Sequence, residues 1–299
     1  MRGKAFEIAG LRIGGGNPPQ VIAELGINHG GDLSVAKEMA LAAIKAGAVL
    51  IKHQTHIPEK EMSREAQFAI PGNASVSIFD VISECTLSED EEFELARFIE
   101  SNGAIFFSTP FSREAANRLN SFGVPAFKIG SGECNNYPLV EHIARFGKPV
   151  ILSTGMNSIS SIRTSVSILQ AYDVPFALMH TTNLYPTPTK LVRLGAMQQM
   201  AEAFPSAPIG LSDHSTSNAA GFAAVALGAT IVERHFTDSK SRVGPDIICS
   251  MDPGELAQLL QMSSEIFYSL GGVKGAAAEE EVTMNFAFAS VASTRPIKA

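Results

Sequence analysis

The amino-acid sequence predicts an α/β fold, a (β/α)8 TIM barrel preceded by a short N-terminal hairpin. Three observations carry this. Eight apolar, strand-like runs recur along the 299 residues. Most are separated by a segment of helical periodicity, and strands alternating with helices give a parallel sheet. Each run also stops at a small cluster of polar residues, and a barrel of eight such units gathers its chemistry at the C-terminal strand ends.

The elements follow in order. Residues 5–19, with glycines and prolines closing FEIAGLRIGGGNPP, read as a hairpin able to plug the bottom of the barrel. The eight runs are VIAELGI, VLIKHQT, IFFSTP, AFKIGSGE, VILSTG, FALMHTT, IGLSDH and TIVERHF. Residues 34–47 place Ala, Leu and Ile at helical spacing, with Gly47 where a C-cap belongs. Residues 56–86, with many charges, Pro58 and Pro71, read as the longest irregular stretch, lying over the strand-end face. Residues 88–103 open with Ser88 and Glu91, the spacing of a capping box. Helical patterns recur at 112–123, 138–147, 158–171, 191–204, 217–228 and 253–271. The barrel therefore occupies residues 1–270. Residues 271–285 read as a linker, and FAFASVASTRPIKA begins a new strand-like pattern at Phe286, the start of a second domain.

Composition narrows the function classes. The net charge is −7 with no basic cluster, which argues against nucleic-acid binding. Cys85, Cys134 and Cys249 are widely spaced, without a CxxC or other metal-ligand pattern, and read as free thiols of a reducing compartment. The N-terminus lacks the apolar core of a secretory signal, and no run approaches the roughly 20 apolar residues of a membrane span. The cytoplasm is the expected location.

Period-2 alternation turns Lys52 and Gln54 to one face of their strand and His53 to the other, and sets Lys128 opposite Phe127 and Ile129. Both lysines should point into the barrel mouth. An unpaired buried ammonium is costly. Ser131, Ser153 and Ser212 end nearby strands and would complete an oxyanion or phosphate cradle, while Glu24 or Glu233 would pair with the lysines. His214 and His235 end the last two strands, neighbours in a barrel, and two imidazoles so placed can share a divalent metal. Asp213 and Glu233 are candidates to orient those rings. His29, His53 and His56 are weaker candidates, and His142, on a helix, reads as structural. Glu24 sits inside an apolar strand, either as ion-pair partner of Lys52 or as a general acid/base.

As a set, VIAELGINHGGDLSVAKEMALAAIKAGA, IKHQT, FFSTPF, FKIGSGE, ILSTGM, GLSDHS and VERHF resemble the sialic acid synthase family, in order and spacing, from about residue 20 to 250. The resemblance implies condensation of phosphoenolpyruvate with an open-chain sugar aldehyde, such as N-acetylmannosamine, to a nonulosonic acid and phosphate. It implies that Lys52, Thr109, Lys128, Ser131, Ser153 and Ser212 hold phosphoenolpyruvate. Glu24 matches a catalytic glutamate. Gln54, Asn183, Tyr185 and Asp246 match positions near the sugar. His214 and His235 match metal ligands, usually for Mn²⁺, with Mg²⁺ or Co²⁺ as alternatives, and a homodimer is the family habit. Ile247 stands where the family often has His after GPD. The segment FASVASTRPIKA resembles the start of the family's C-terminal antifreeze-like domain, whose remainder does not follow in this sequence. The rival readings are a 3-deoxy-sugar-acid synthase on a phosphorylated aldose, a Schiff-base aldolase using Lys52 or Lys128, and a barrel that binds a sugar acid without turnover.

Overall fold

A computed structural model describes residues 3–70 and 76–298. Strands β1 (Phe6–Ile8) and β2 (Leu11–Ile13) pair antiparallel as a hairpin. The eight predicted runs become β3 (Gln20–Gly26), β4 (Leu50–Thr55), β5 (Ile105–Pro110), β6 (Phe127–Ile129), β7 (Val150–Ser153), β8 (Phe176–Thr181), β9 (Ile209–Asp213) and β10 (Ile231–His235). They close a parallel barrel in sequence order, β10 returning to pair with β3.

Helices cover the outside: α1 (Leu33–Lys45), then the single turn α2 (Pro58–Glu61), α3 (Ile78–Cys85), α4 (Glu89–Ser101), α5 (Arg113–Phe122), α6 (Tyr137–Ala144), α7 (Ile159–Ala171), α8 (Leu194–Ala203), α9 (Ala219–Ala226) and α10 (Pro253–Ser269). Their starts follow from capping chemistry. The Asp32 side chain accepts from Ser34 N and Val35 N, and Ser88 and Glu91 form the predicted reciprocal box. The stretch 56–86 is less irregular than expected, since it contains α2 and α3, whose Ser77 cap accepts from Asp80 N. Pro71 lies outside the described residues.

Alternation sorts the strand residues between two cores. Leu25, Ile51, Phe106, Ile129, Leu152, Leu178, Leu211 and Val232 face outward and pack with helix residues such as Met39, Leu95, Leu119, Ile143, Leu169 and Leu259. Ile22, Leu50, Phe107, Ile151, Ala177, Met179 and Ile231 face inward, where Ile8 and Ile13 of the hairpin join them. The hairpin thus seals one end of the barrel. The next inward residues along the strands, toward their C-terminal ends, are polar.

Chain contacts separate residues 270–298 from the body containing the barrel. Among its described residues this second unit holds a 3₁₀ turn, Ala278–Glu280, that runs into one α-helix, α11 (Glu281–Ala287). The strand-like pattern from Phe286 therefore does not form a strand: Phe286 and Ala287 close α11, and 288–298 have no regular structure. A strand needs a neighbour for its amides, whereas a helix satisfies them within the segment.

The seal yields a prediction. Ile13 is fully buried, so Ile13→Ala should cost about 2–5 kcal/mol. Urea denaturation measures it; a cost below about 0.5 kcal/mol, typical of surface positions, would separate the hairpin from the folding unit.

Candidate active site

The inward polar residues form a layer set by strand register. Glu24 lies opposite Lys52 on β4 and His235 on β10, Gln54 lies opposite Thr109, and Glu233 lies opposite Ser212. Parallel neighbours at one level point the same way, so these side chains converge. They line a cavity of about 130 Å³ together with Lys128, Ser131, Ser153, Asn183, Tyr185 and His214. Asp246 lies at its edge, with Oδ2 3.6 Å from His235 Nδ1. The residues that the resemblance assigned to phosphoenolpyruvate, the sugar, the metal and proton transfer are therefore gathered in or beside this one cavity.

Two buried lysines face two buried carboxylates. Lys52 Nζ is 2.8 Å from Glu24 Oε1, 3.8 Å from Glu233 Oε1 and 3.1 Å from Thr109 Oγ1. Lys128 Nζ is 3.4 Å from Glu233 Oε1 and donates to Ser153 Oγ at 2.6 Å. Burial pushes the Glu24 carboxyl up to about 7; Lys52 opposes the shift and Glu233 adds to it. Burial also works to raise Glu233, but Lys128 and Lys52 together hold it down at about 2. Burial opposes the charge on Lys52, yet Glu233 and Glu24 outweigh it and lift the ammonium above the usual lysine range. Lys128 stays below that range because burial exceeds the help of Glu233. Glu24 and Lys52 both rise although they are partners, because Lys52 has two carboxylates and Glu24 must share one lysine while facing Glu233. Environments that push two carboxylates apart separate a proton carrier from a fixed charge. Glu24 suits the first role and Glu233 the second.

Gln54 donates through Nε2 to Glu24 Oε1 at 2.9 Å, which turns its carbonyl oxygen to His56 Nε2 at 3.1 Å. His56 in turn faces Glu61 through Nδ1 and stacks on Phe111, a wall of the cavity, so the start of the 56–86 stretch does lie at the strand ends. His29 and His53 are outside the barrel, where His53 bonds Glu92 and the two rings stack. His142 is bonded to Asn117 on the helical surface.

The residues expected to orient the histidines do other work. Asp213 faces outward and pairs with its cross-strand neighbour Arg234 at 3.4 Å, and Glu233 serves the lysines and accepts from Ser212 Oγ. The carbonyl of Thr182, an acceptor only, fixes the His214 ring through Nδ1 at 3.0 Å and leaves Nε2 its lone pair. Burial holds His214 down at about 4 and His235 down at about 3, so both rings are neutral at pH 7. The ring centroids are 5.5 Å apart, and His235 Nδ1 is buried without a hydrogen-bond partner. Two neutral imidazoles, one with an orphaned nitrogen beside a carboxylate, fit a divalent cation. Among the described residues no set of three or more His, Cys, Asp or Glu forms a complete cage, so solvent or substrate would supply the other ligands.

Sequence reasoning missed Thr181 and Phe111, which also line the cavity. Alternation along FALMHTT would have found Thr181, in phase with the inward Ala177 and Met179. Gly155 left no signal: a Cβ there would lie 2.1 Å from Asn183 Oδ1 and 2.9 Å from Ser131 Oγ. Five buried atoms around the cavity lack partners among the described residues: Glu24 Oε2, Glu233 Oε2, Thr181 Oγ1, Asn183 Oδ1 and His235 Nδ1. Native proteins leave few such atoms, and a cluster of them marks a place completed by a ligand.

Comparison with known proteins agrees with this geometry. The NeuB family model matches residues 39–275. The chain belongs to the NeuB family. Human N-acetylneuraminate-9-phosphate synthase is 36% identical over 266 residues, covering 88% of this chain and 74% of that protein. The N,N'-diacetyllegionaminic acid synthase of Campylobacter jejuni is 35% identical over 286 residues, covering 93% and 85%. The crystal structure of the N-acetylneuraminic acid synthetase of Leptospira borgpetersenii, in complex with citrate, superposes with a TM-score of 0.87 at 33% identity, covering 95% of this chain and 96% of that one. NeuB proteins are synthases that join phosphoenolpyruvate to a sugar through a carbon–carbon bond.

For this NeuB chain, Gly155→Ala should displace Asn183 and lower kcat/KM by about tenfold or more, since a misplacement of about 1 Å can cost about 10²-fold. Steady-state kinetics with a melting curve on the same sample is the check; normal kcat/KM would show that Asn183 has no fixed task.

Proposed function

We propose that the protein condenses phosphoenolpyruvate with an open-chain, N-acetylmannosamine-like aldehyde, giving a nonulosonic acid and inorganic phosphate, with a divalent metal, Mn²⁺ in the first instance, at His214 and His235. The observation that carries this reading is the cavity itself: two cationic lysines, five orphaned polar atoms and two neutral imidazoles around one space. A homodimer is part of the proposal, and sedimentation equilibrium measures it.

In this reading Lys52 and Lys128 take the carboxylate and phosphate of phosphoenolpyruvate, with Thr109, Ser131, Ser153 and Ser212 donating around them. Gln54, Asn183, Tyr185 and Asp246 hold the sugar with its aldehyde carbon against C3. A bound divalent cation supplies Lewis-acid polarisation of the aldehyde oxygen. The C2=C3 π pair of phosphoenolpyruvate forms the new bond from C3 to that carbon, and the aldehyde π pair moves onto its oxygen. Water adds at the electron-poor C2 and gives one proton to Glu24, which can return it to the new alkoxide. C2=O then forms as the C2–O bond to phosphate breaks, and the second water proton leaves with the phosphate. The lysines balance the negative charge throughout. A Schiff-base aldolase would need a neutral lysine nucleophile; the ion-paired Lys52 does not suit it, and failure of borohydride to trap Lys128 with a carbonyl substrate would remove that rival.

Three tests follow. Chelation should abolish phosphate release from phosphoenolpyruvate and N-acetylmannosamine, and Mn²⁺ should restore it; full activity in protein shown metal-free by elemental analysis would overturn the metal assignment. Lys52→Met or Lys128→Met should weaken phosphoenolpyruvate binding by about 10- to 150-fold, the loss of a charge-assisted contact of about 1.5–3 kcal/mol. Calorimetry reads this, and unchanged affinity in both variants would exclude the cradle. Glu24→Gln should keep ligand affinity and lose about 10²–10⁴-fold in rate. Because the Glu24 carboxyl is raised to about 7 and must be ionised to accept a proton, the rate should rise with pH through that region. A rate independent of pH between about 6 and 8 in the wild type would contradict the base role.

A further inference from the structure

Asn28 is polar, fully buried and outside the cavity lining, and no step above uses it. It follows β3, the strand of Glu24, and its side chain spans to two other parts of the chain. Nδ2 donates to Phe236 O at 3.2 Å and to Ser250 Oγ at 2.8 Å. Oδ1 accepts from Asp246 N at 3.2 Å. These partners admit only one orientation of the amide, because Phe236 O can only accept and Asp246 N–H can only donate.

The three bonds tie down the segment that carries Asp246. Phe236 follows His235 directly, and Ser250 Oγ also donates to Asp246 O at 2.8 Å. The segment approaches closely enough that a Cβ on Gly244 would lie 3.3 Å from Asn28 Oδ1. One carboxamide therefore joins the end of β3, the end of β10 and the 244–250 turn. We propose that Asn28 is a positioning residue that clamps this turn, holding the Asp246 carboxylate beside His235 at the sugar end of the site; for its bearing on turnover this rests on the synthase reading above.

The clamp makes a chemical distinction that a filler residue would not. Asn28→Ala removes all three bonds. Asn28→Asp keeps the shape and an acceptor for Asp246 N–H, but its carboxylate faces the Phe236 carbonyl and cannot donate to Ser250. Both variants should lose function at the sugar and keep phosphoenolpyruvate affinity, because Lys52 and Lys128 stand on β4 and β6, while the hydrogen bonds of the Asn28 side chain run to the end of β10 and the 244–250 turn.

Two measurements on the full chain test this. Hydrogen exchange of residues 244–250 should accelerate by about tenfold or more in Asn28→Ala and Asn28→Asp, with the barrel strands unchanged. Unchanged protection there overturns the clamp whatever the kinetics show. With Mn²⁺ present, KM for N-acetylmannosamine should rise by about tenfold or more while phosphoenolpyruvate affinity by calorimetry stays within about twofold. Asn28→Ala combined with Asp246→Asn should be no worse than Asp246→Asn alone, the non-additivity expected when one residue acts through another. Additive losses, or a normal sugar KM in Asn28→Ala beside an impaired Asp246→Asn, overturn the positioning role. A normal Asp246→Asn removes Asp246 from the sugar site and the positioning role with it. If Asn28→Ala does not fold, the isosteric Asn28→Asp and Ser250→Ala carry both measurements. Wild-type protein inactive on the substrate pair with accelerated exchange in the variants would count against the synthase reading and for the clamp.

Discussion

The site depends on one electrostatic constraint: two ammonium groups and two carboxylates share a barrel interior with little water to solvate them. Removing ions from water costs several kcal/mol each, and mutual attraction returns this only in good geometry. Strand register supplies the geometry, since Glu24 and Lys52 are cross-strand neighbours and Glu233 reaches both lysines. With Glu24 ionised the four charges cancel among themselves, so an arriving polyanion must then replace a carboxylate as the lysines' partner. Such a cluster is a weak source of stability. The apolar layer below, with Phe107, Ile151 and Met179, and the packed outer core supply the stability that lets it persist.

The same constraint explains why two glutamates of one type differ. Glu233 sees both lysines and remains an anion. Glu24 sees one lysine, one amide and a neighbouring negative charge. Rigid strands hold these distances, whereas the segment bearing Asp246 is a turn with a single-turn 3₁₀ helix, Ile247–Cys249, and depends on side chains for its place. Arg234 contributes from outside the barrel, donating to Ser215 O and Cys249 O while paired with Asp213.

Much of this was legible in the sequence because the side-chain period of a strand is two. Alternation alone turned Lys52, Gln54 and Lys128 inward and His53 outward, and the structure agrees. Register between strands was not legible, and it decides partners: Asp213 meets Arg234 because β9 and β10 align them, whereas the pairing of Glu24 and Glu233 with the lysines was already expected from their inward phase. The helices within 56–86 escaped because α2 is one turn, and α3, although as long as α6 and α9, lies in a stretch whose charges and prolines read as irregular. The tail misled for the opposite reason. Its alternating Phe286 and Phe288 look like a strand face, yet both are exposed, Phe286 belongs to α11 and 288–298 have no regular structure.

The hairpin plug carries a kinetic consequence. A barrel stoppered at one end has a single doorway, so reactants and products share one passage. Lys52 sits just above the floor, while Gln54 lies one inward position farther toward the rim on the same strand. In the proposed reaction, the ligand held by the lysines at the floor would enter before the ligand nearer the rim and leave after it. Compulsory-order kinetics would then be a property of the container, written into Ile8 and Ile13 at the far end from the chemistry.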